Sequence, residues 1–208
     1  RISQARNYTI NGTTYGVFVE LIQPSISLII FGGGFDARPV SNLAKTLGWD
    51  VTVTDECVAH IAPLFFPTAD KLSLCQRTRI DQDFNITSNT ACLLMSHNYE
   101  YDRDVLRKLL SSPTPFIGIL GPRKRFEKML AEYSIAGLAL SETDFGRIHS
   151  PVGLDIGAEA ADEIAVSIIA EIQGKFANRE GGSLKHRGGP IHSRDAAGDQ
   201  VFKQVYIN

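Results

Sequence analysis

One junction constrains this chain more than anything else in it. Ser27-Leu28-Ile29-Ile30-Phe31 is an uninterrupted apolar run, rich in β-branched residues, and it stops at three glycines, Gly32-Gly33-Gly34. Such a run suits a strand buried on both faces of a parallel sheet. Beyond the glycines, Val40, Leu43, Ala44 and Leu47 fall at i, i+3, i+4 and i+7, one helical stripe. Pro39 stands in the first turn, where proline is tolerated, and Gly48 stands where a helix stops. Trp49 to Thr54 reads as a second strand ending at Asp55. A complete β-α-β unit thus occupies about 30 residues, the size of that motif.

Gly32-x-Gly34-x-x-Ala37 matches the dinucleotide-binding fingerprint in its alanine-ending form. The first glycine allows the tight turn, and the second lets a phosphate approach the backbone. The small third residue lets helix and strand pack closely. The helix N-terminus adds free N–H groups and about half a positive charge. Asp55 lies about 20 residues on, where such folds place a ribose-binding acid. Gly32, Gly33, Gly34, Phe35, Asp36 and Asp55 are therefore candidate ligand-binding residues. Asp36 has a second reading, as the helix cap.

The remaining pattern alternates strands and helices. Lys71 to Cys75 reads as a short strand, and Ala91-Cys92-Leu93-Leu94-Met95 as a strand ending at Ser96-His97. Val105, Leu106, Leu109 and Leu110 mark a helix. Phe116 to Leu120 is another strand, and Phe126, Met129, Leu130 and Tyr133 mark the helix after it. A polar stretch leads to Ser150-Pro151-Val152-Gly153-Leu154-Asp155-Ile156-Gly157, then a helix with Ile164, Ile168, Ile169 and Ile172 on one side. This alternation predicts an α/β fold, a doubly wound, mostly parallel, Rossmann-like sheet. Ahead of it, two short β-rich runs flank Asn11-Gly12, a hairpin turn signal. The expected organisation is a hairpin and linker over 1–24, left from an upstream domain, a Rossmann-like domain over 25–176, and a polar tail over 177–208.

Charge and cysteine use narrow the function classes. The net charge of −2 provides no basic field for nucleic acid, and no window approaches a membrane span. The three cysteines, Cys57, Cys75 and Cys92, are odd in number and lack C-x-x-C spacing, which argues against a disulfide framework and a structural zinc site. A reduced, cytoplasmic setting is expected. The chain opens at Arg1 rather than Met, with no signal-peptide apolar run. Arg123, Lys124 and Arg125 open a helix, where cations oppose the dipole unless an anion sits nearby. Arg123 and Lys124 join the candidate set for that reason. His97, following the strand that ends at Met95, points into the same crevice as the glycine turn, and Cys57 lies just past the carboxyl end of a strand. Cys75 and Cys92 read as small core residues. His60, His149, His186 and His192 lack metal-ligand spacing and receive no role, and no metal site is expected.

At this point the sequence resembles a known family. Leu28-Ile29-Ile30-Phe31-Gly32-Gly33-Gly34, Gly118 to Arg125, Ile148 to Glu159, Glu163 to Ile172 and the closing Gly189-Pro190-Ile191-His192 look like the C-terminal Rossmann domain of the XdhC/CoxI family. The Ser-Pro-Val-Gly-Leu-Asp-Ile-Gly block is the most specific piece. The resemblance implies an accessory protein for a molybdenum hydroxylase such as xanthine dehydrogenase. It would bind molybdenum cofactor (molybdopterin), assist its sulfuration with a sulfurtransferase and insert it into the apo-enzyme. A homodimer is expected separately, because a carrier and its upstream domain need exposed surfaces. The chain departs from the family pattern at Gly33 and Phe35, where the turn is commonly Gly-Ala-Gly followed by His. It departs again at Ala160-Ala161, where a Thr-Pro pair is usual.

Two other functions fit the residues alone. A NAD(P)-binding oxidoreductase would use the glycine fingerprint and Asp55, Asp55 favouring NAD. Against it, no Tyr-x-x-x-Lys and no evident His/Asp proton-transfer pair is present. A non-catalytic nucleotide-binding scaffold is the third. No catalytic residue is assigned, and a cofactor-maturation factor fits better than a classical dehydrogenase.

Overall fold

In the computed structural model, residues 3–189 are described. They fall into two compact units, one holding the N-terminal segment to Pro24 with the residues from Gly182 onward, the other Ser25–Gly181.

The first unit is built on a hairpin of β1 (Gln4–Ile10) and β2 (Thr13–Val19), paired antiparallel with Tyr8 opposite Tyr15. Asn11 and Gly12 both take positive φ, 51° and 82°, as the tight hairpin turn demands. Register puts Tyr8, Ile10, Tyr15, Val17 and Val19 on one face, and all of them are exposed. The foreseen tail falls partly here. Leu184–His186 forms one 3-10 turn, whereas residues 190–208, with Pro190, Ile191 and His192, lie outside the described residues.

The second unit is the predicted sheet. Its strands are β3 (Ser27–Phe31), β4 (Asp50–Asp55), β5 (Lys71–Leu74), β6 (Thr90–Leu94), β7 (Phe116–Ile119) and β8 (Ile148–His149), in the order β5-β4-β3-β6-β7-β8. Every pairing is parallel. The chain leaves β3 in one direction for β4 and β5, then returns to β6 on the other side. β3 and β6 therefore flank the switch point, at whose carboxyl end such folds bind ligands.

The apolar runs fold this way because both faces of the sheet are covered. Leu28 and Ile30 of β3 pack with Val40 and Ala44 of α1 (Ala37–Thr46) and Ile168 and Ile172 of α6 (Ala161–Phe176). Ile29 and Phe31, one residue out of phase, pack with Val105, Leu106 and Leu109 of α3 (Tyr99–Leu109) and Met129 and Tyr133 of α4 (Arg123–Ile135). Each such side chain contributes about 1.5–3 kcal/mol on burial. Cys75 and Cys92 belong to this second core, as expected, and burial pushes both thiols up to about 12. A short helix, α2 (Ile80–Asp83), buries Ile80 beside them.

Two elements were not foreseen in the polar stretch. One is α5 (Glu142–Phe145), capped by Ser141 and Asp144, and the other is the two-residue β8. Arg147 ties this region in: its guanidinium donates to the carbonyls of Ser112 and Thr114 at 2.7 and 3.3 Å and to Asp144 at 2.7 Å. At the start of α6, Glu163 does the capping that Ala160 cannot, accepting the N–H groups of Glu159 and Ala160 at 2.9 and 3.0 Å.

Candidate functional site

The three glycines sit at the carboxyl end of β3 and do three different jobs. Gly32 continues the ladder, donating to Thr54 O at 2.8 Å, with φ +115°. A Cβ there would overlap the backbone of Ser96 and lie 2.6 Å from Met95 C, so the β3 turn and the end of β6 touch backbone to backbone. Gly33 donates its N–H to Asp55 Oδ2 at 2.9 Å. Gly34 faces the His97 ring, whose Cδ2 would lie 3.5 Å from a Cβ. The amides of Gly34, Phe35 and Asp36 find no acceptor among the described residues. They stand at the N-terminus of α1, where the helix dipole favours an anion.

Asp55 turns inward rather than toward solvent. Besides the Gly33 amide, its carboxylate accepts Cys57 N–H at 2.8 Å and lies 3.1 Å from His60 Nδ1, and the residue is 8% exposed. The 3-10 turn Val58–His60 is thereby laid against Gly33, with His60 C 2.9 Å from where a Cβ would stand. His60, which sequence reasoning passed over, is thus part of the site. Its signal was local: a histidine five residues beyond the acid, in the same loop. Cys57 stands at the start of this turn without a side-chain capping bond and is the one exposed cysteine of the three.

On the opposite side His97 holds φ +59°, a conformation uncommon for a side-chain-bearing residue and of the kind that clusters at functional sites. Its Nε2 lies 3.1 Å from Asp36 Oδ2, so the turn carries two His/Asp pairs, with His60–Asp55, where the sequence showed none. Asp36 occupies the cap position of α1 but makes no capping hydrogen bond, which sets aside its reading as the helix cap. Phe35 is 68% exposed at the mouth. Arg38, in the first turn of α1, stacks its guanidinium over Phe65 at 3.9 Å and over Phe35 at 5.4 Å. Its buried Nε has no hydrogen-bond partner among the described residues. The opposed-dipole argument applied to Arg123 and Lys124 would have found Arg38 as well.

The basic turn divides. Arg123 and Lys124 are exposed and make no hydrogen bond or ion pair among the described residues. Arg125 points inward, donating to Asp102 Oδ2 at 2.7 Å, while Ser96 Oγ donates to Asp102 Oδ1 at 2.6 Å. Burial pushes the Asp102 carboxyl up, with the Ser96 and Arg125 bonds opposing. This chain of contacts fixes the end of β6, the wall against which Gly32 packs.

The Ser150–Gly157 loop is clamped to α6. Glu171 lies 2.8 Å from His149 Nδ1 and accepts Gly153 N–H at 2.7 Å. Burial raises the Glu171 carboxyl, yet the hydrogen bonds from His149 and Gly153 outweigh it and hold the group below its ordinary value. His149 stacks on Phe116 at 4.1 Å. Elsewhere, a cavity of about 530 Å³ is lined by Arg77, Asp81, Asp104, Arg107 and Lys108, with none of the glycine-turn residues. Its charges are largely spent on one another: Arg77 pairs with Glu56 and Asp104, and Lys108 with Asp81. Among the described residues no cluster of metal-ligating side chains occurs, and no helix is long and apolar enough to cross a membrane.

With this geometry in hand, comparison with known proteins is specific. The family model for the XdhC Rossmann domain matches residues 28–172. A probable xanthine dehydrogenase subunit of Bacillus subtilis is 35% identical over 159 residues, covering 76% of this chain and 46% of the relative. The molybdenum cofactor insertion chaperone PaoD of Escherichia coli is 26% identical over 165 residues, covering 79% and 43%. A crystal structure described as a xanthine dehydrogenase from Bacillus halodurans superposes with a TM-score of 0.67 at 29% identity, covering 80% of this chain and 48% of that one. The chain spans less than half the length of these relatives.

Proposed function

Because the chain belongs to the XdhC family, carrying its Rossmann domain over residues 28–172, we propose that it serves a molybdenum hydroxylase such as xanthine dehydrogenase by binding molybdenum cofactor and handing it to the apo-enzyme. The cofactor is cargo here: a pterin bearing a dithiolene and a phosphate. The observation that carries the reading is the row of unengaged amides at Gly34, Phe35 and Asp36, at the N-terminus of α1 and at the switch point of the sheet. Arg38 adds positive charge beside them. The phosphate fits this cradle, with Gly34 letting it approach and His97 closing over it. Exposed Arg123 and Lys124, on the same sheet edge, supply long-range attraction for an anion.

Sulfuration belongs to the same proposal. Cys57 is the exposed thiol in the turn that covers Gly33, and a sulfurtransferase partner would meet the cofactor at that mouth. The hairpin over 1–24 exposes an apolar face, and a two-stranded ribbon is at best marginal alone. That supports an origin in an upstream domain and a homodimeric assembly, and the three free cysteines support a reduced, cytoplasmic setting. The test is direct. Protein freshly purified from a cofactor-producing host is assayed for bound pterin by its fluorescent oxidation product, with Gly34→Ala as control. Stoichiometric pterin in the wild type and loss in the variant support the reading. Wild-type protein that carries no pterin and gains none on mixing refutes it.

A further inference from the structure

The cavity of about 530 Å³ beside α3 is a separate binding place, independent of the glycine turn and of the function read from that turn. Its size falls within the range of about 300–1,000 Å³ usual for small-molecule pockets. One wall is α3 and the turn after it, where Asp104, Arg107, Lys108 and Ser111 follow at i, i+3, i+4 and i+7. The other runs from Arg77 to Asp81, in the first turn of α2. Most of the charge there is already matched. Arg77 grips Glu56 at 2.7 and 3.0 Å and reaches Asp104 at 3.5 Å, and Arg103 also holds Asp104, at 2.9 Å. Two cations and one acid remain: Arg107, Lys108 and Asp81. Arg107 is exposed and makes no hydrogen bond or ion pair among the described residues. Lys108 meets Asp81 across the cavity at 3.2 Å with both side chains about half exposed, and an ion pair so exposed is weak. This wall therefore holds one positive charge more than it uses.

The cavity also has an apolar extension. Asp81, Lys108 and Ser111 line an adjoining space of about 270 Å³, together with Ile80, Phe84, Ile86 and Pro113. Ile80 is buried in the second core, and Phe84 meets Phe31 edge-on with ring centroids 5.9 Å apart, so this end is anchored to the sheet. The Lys108–Asp81 pair stands where the two spaces join. A ligand that fits both carries a single negative charge on an apolar body. Its carboxylate replaces Asp81 on Lys108 and takes the planar fork of Arg107, which matches two oxygens, while the body lies against Phe84 and Ile86. A phosphate dianion would exceed the one unmatched positive charge, with Asp104 and the displaced Asp81 close by. We propose that this cavity is a binding site for a small organic carboxylate with an aromatic or aliphatic body.

The experiment is amide NMR on the full chain at constant ionic strength. The probe is 3-phenylpropionate, compared with its neutral amide, 3-phenylpropionamide, and with inorganic phosphate. The Ile80, Asp81, Phe84, Lys108 and Ser111 signals are followed. The carboxylate should move them saturably, and the amide and phosphate should act on them about tenfold more weakly, as expected for loss of a charge-assisted hydrogen bond. Arg107→Gln and Lys108→Gln should each weaken the carboxylate by a similar factor. Asp81→Asn should tighten it about threefold, because it removes the acid that competes for Lys108. A purely structural Lys108–Asp81 pair predicts no such gain. The inference is overturned if the carboxylate does not saturate these signals, if its amide binds equally well, or if Asp81→Asn binds it no better than wild type. None of these results bears on the pterin assay, so the carrier reading stands or falls separately.

Discussion

Replacing the glycines of the turn by alanine, one at a time, separates three roles played by one residue type in succession. At Gly32 the φ of +115° is outside what an L side chain adopts without strain, and the neighbours are main-chain atoms of Ser96 and Met95 that cannot step aside singly. Backbone strain of about 1–3 kcal/mol adds to overpacking of about 1–3 kcal/mol, so Gly32→Ala should cost roughly 2–6 kcal/mol. In a domain of this size the middle of that range lowers Tm by about 10 °C. At Gly33 the obstacle is the His60 carbonyl in an exposed 3-10 turn, which can retreat. Gly33→Ala should cost about 1–2 kcal/mol and release His60 from Asp55. At Gly34 the nearest atom, His97 Cδ2, would be at 3.5 Å, an ordinary contact. Gly34→Ala should leave stability within about 0.5 kcal/mol of wild type, or raise it through a less flexible unfolded chain. It places a methyl group where the phosphate arrives, and affinity for inorganic phosphate should fall at least tenfold. Urea denaturation read at Trp49, which is buried at 4% exposure, gives the stabilities. Phosphate titration gives the affinities. Equal destabilisation by Gly32→Ala and Gly34→Ala would refute the reasoning, as would a Gly34→Ala protein that binds phosphate normally.

Other consequences follow from the same contacts. Since the Glu171 carboxyl is held below its ordinary value in the fold, its contribution is present above the unfolded value of about 4.3 and is lost as pH falls through the folded one. The stability gap between wild type and Glu171→Gln should therefore be widest near neutrality and close in acid, and a gap that widens as pH falls would contradict this. Arg147→Lys keeps the charge but not the planar fork that spans Ser112, Thr114 and Asp144, and should cost about 2 kcal/mol in urea denaturation; an unchanged midpoint would argue against the anchor. An aromatic disulfide reagent should label Cys57 rapidly in the folded protein and reach Cys75 and Cys92 only after denaturation, because burial holds both thiols near 12. Fast labelling of two or three thiols would disprove the core placement of those residues.

The strand order and the switch point came from the structure, while the sequence by itself determined the parallel sheet and its first strand–turn–helix. Those signals are local: an apolar run buried on two faces, a helical stripe, and glycine where the chain must turn with positive φ. They also located the turn, Asp55 and His97, because a strand's end determines which edge its next residues occupy. What only tertiary structure decided is how those residues spend their hydrogen bonds. Nothing in the spacing of Asp55 and His60 says that the acid folds back onto Gly33, or that Asp102, inside α3, joins Ser96 to Arg125. Nor does it say that a two-residue strand completes the sheet through His149 and Glu171. Each of these depends on groups separated along the chain meeting at one orientation, set by packing of whole helices on the sheet. Periodicity reports which face a side chain takes; only the assembled core sets which partner waits there.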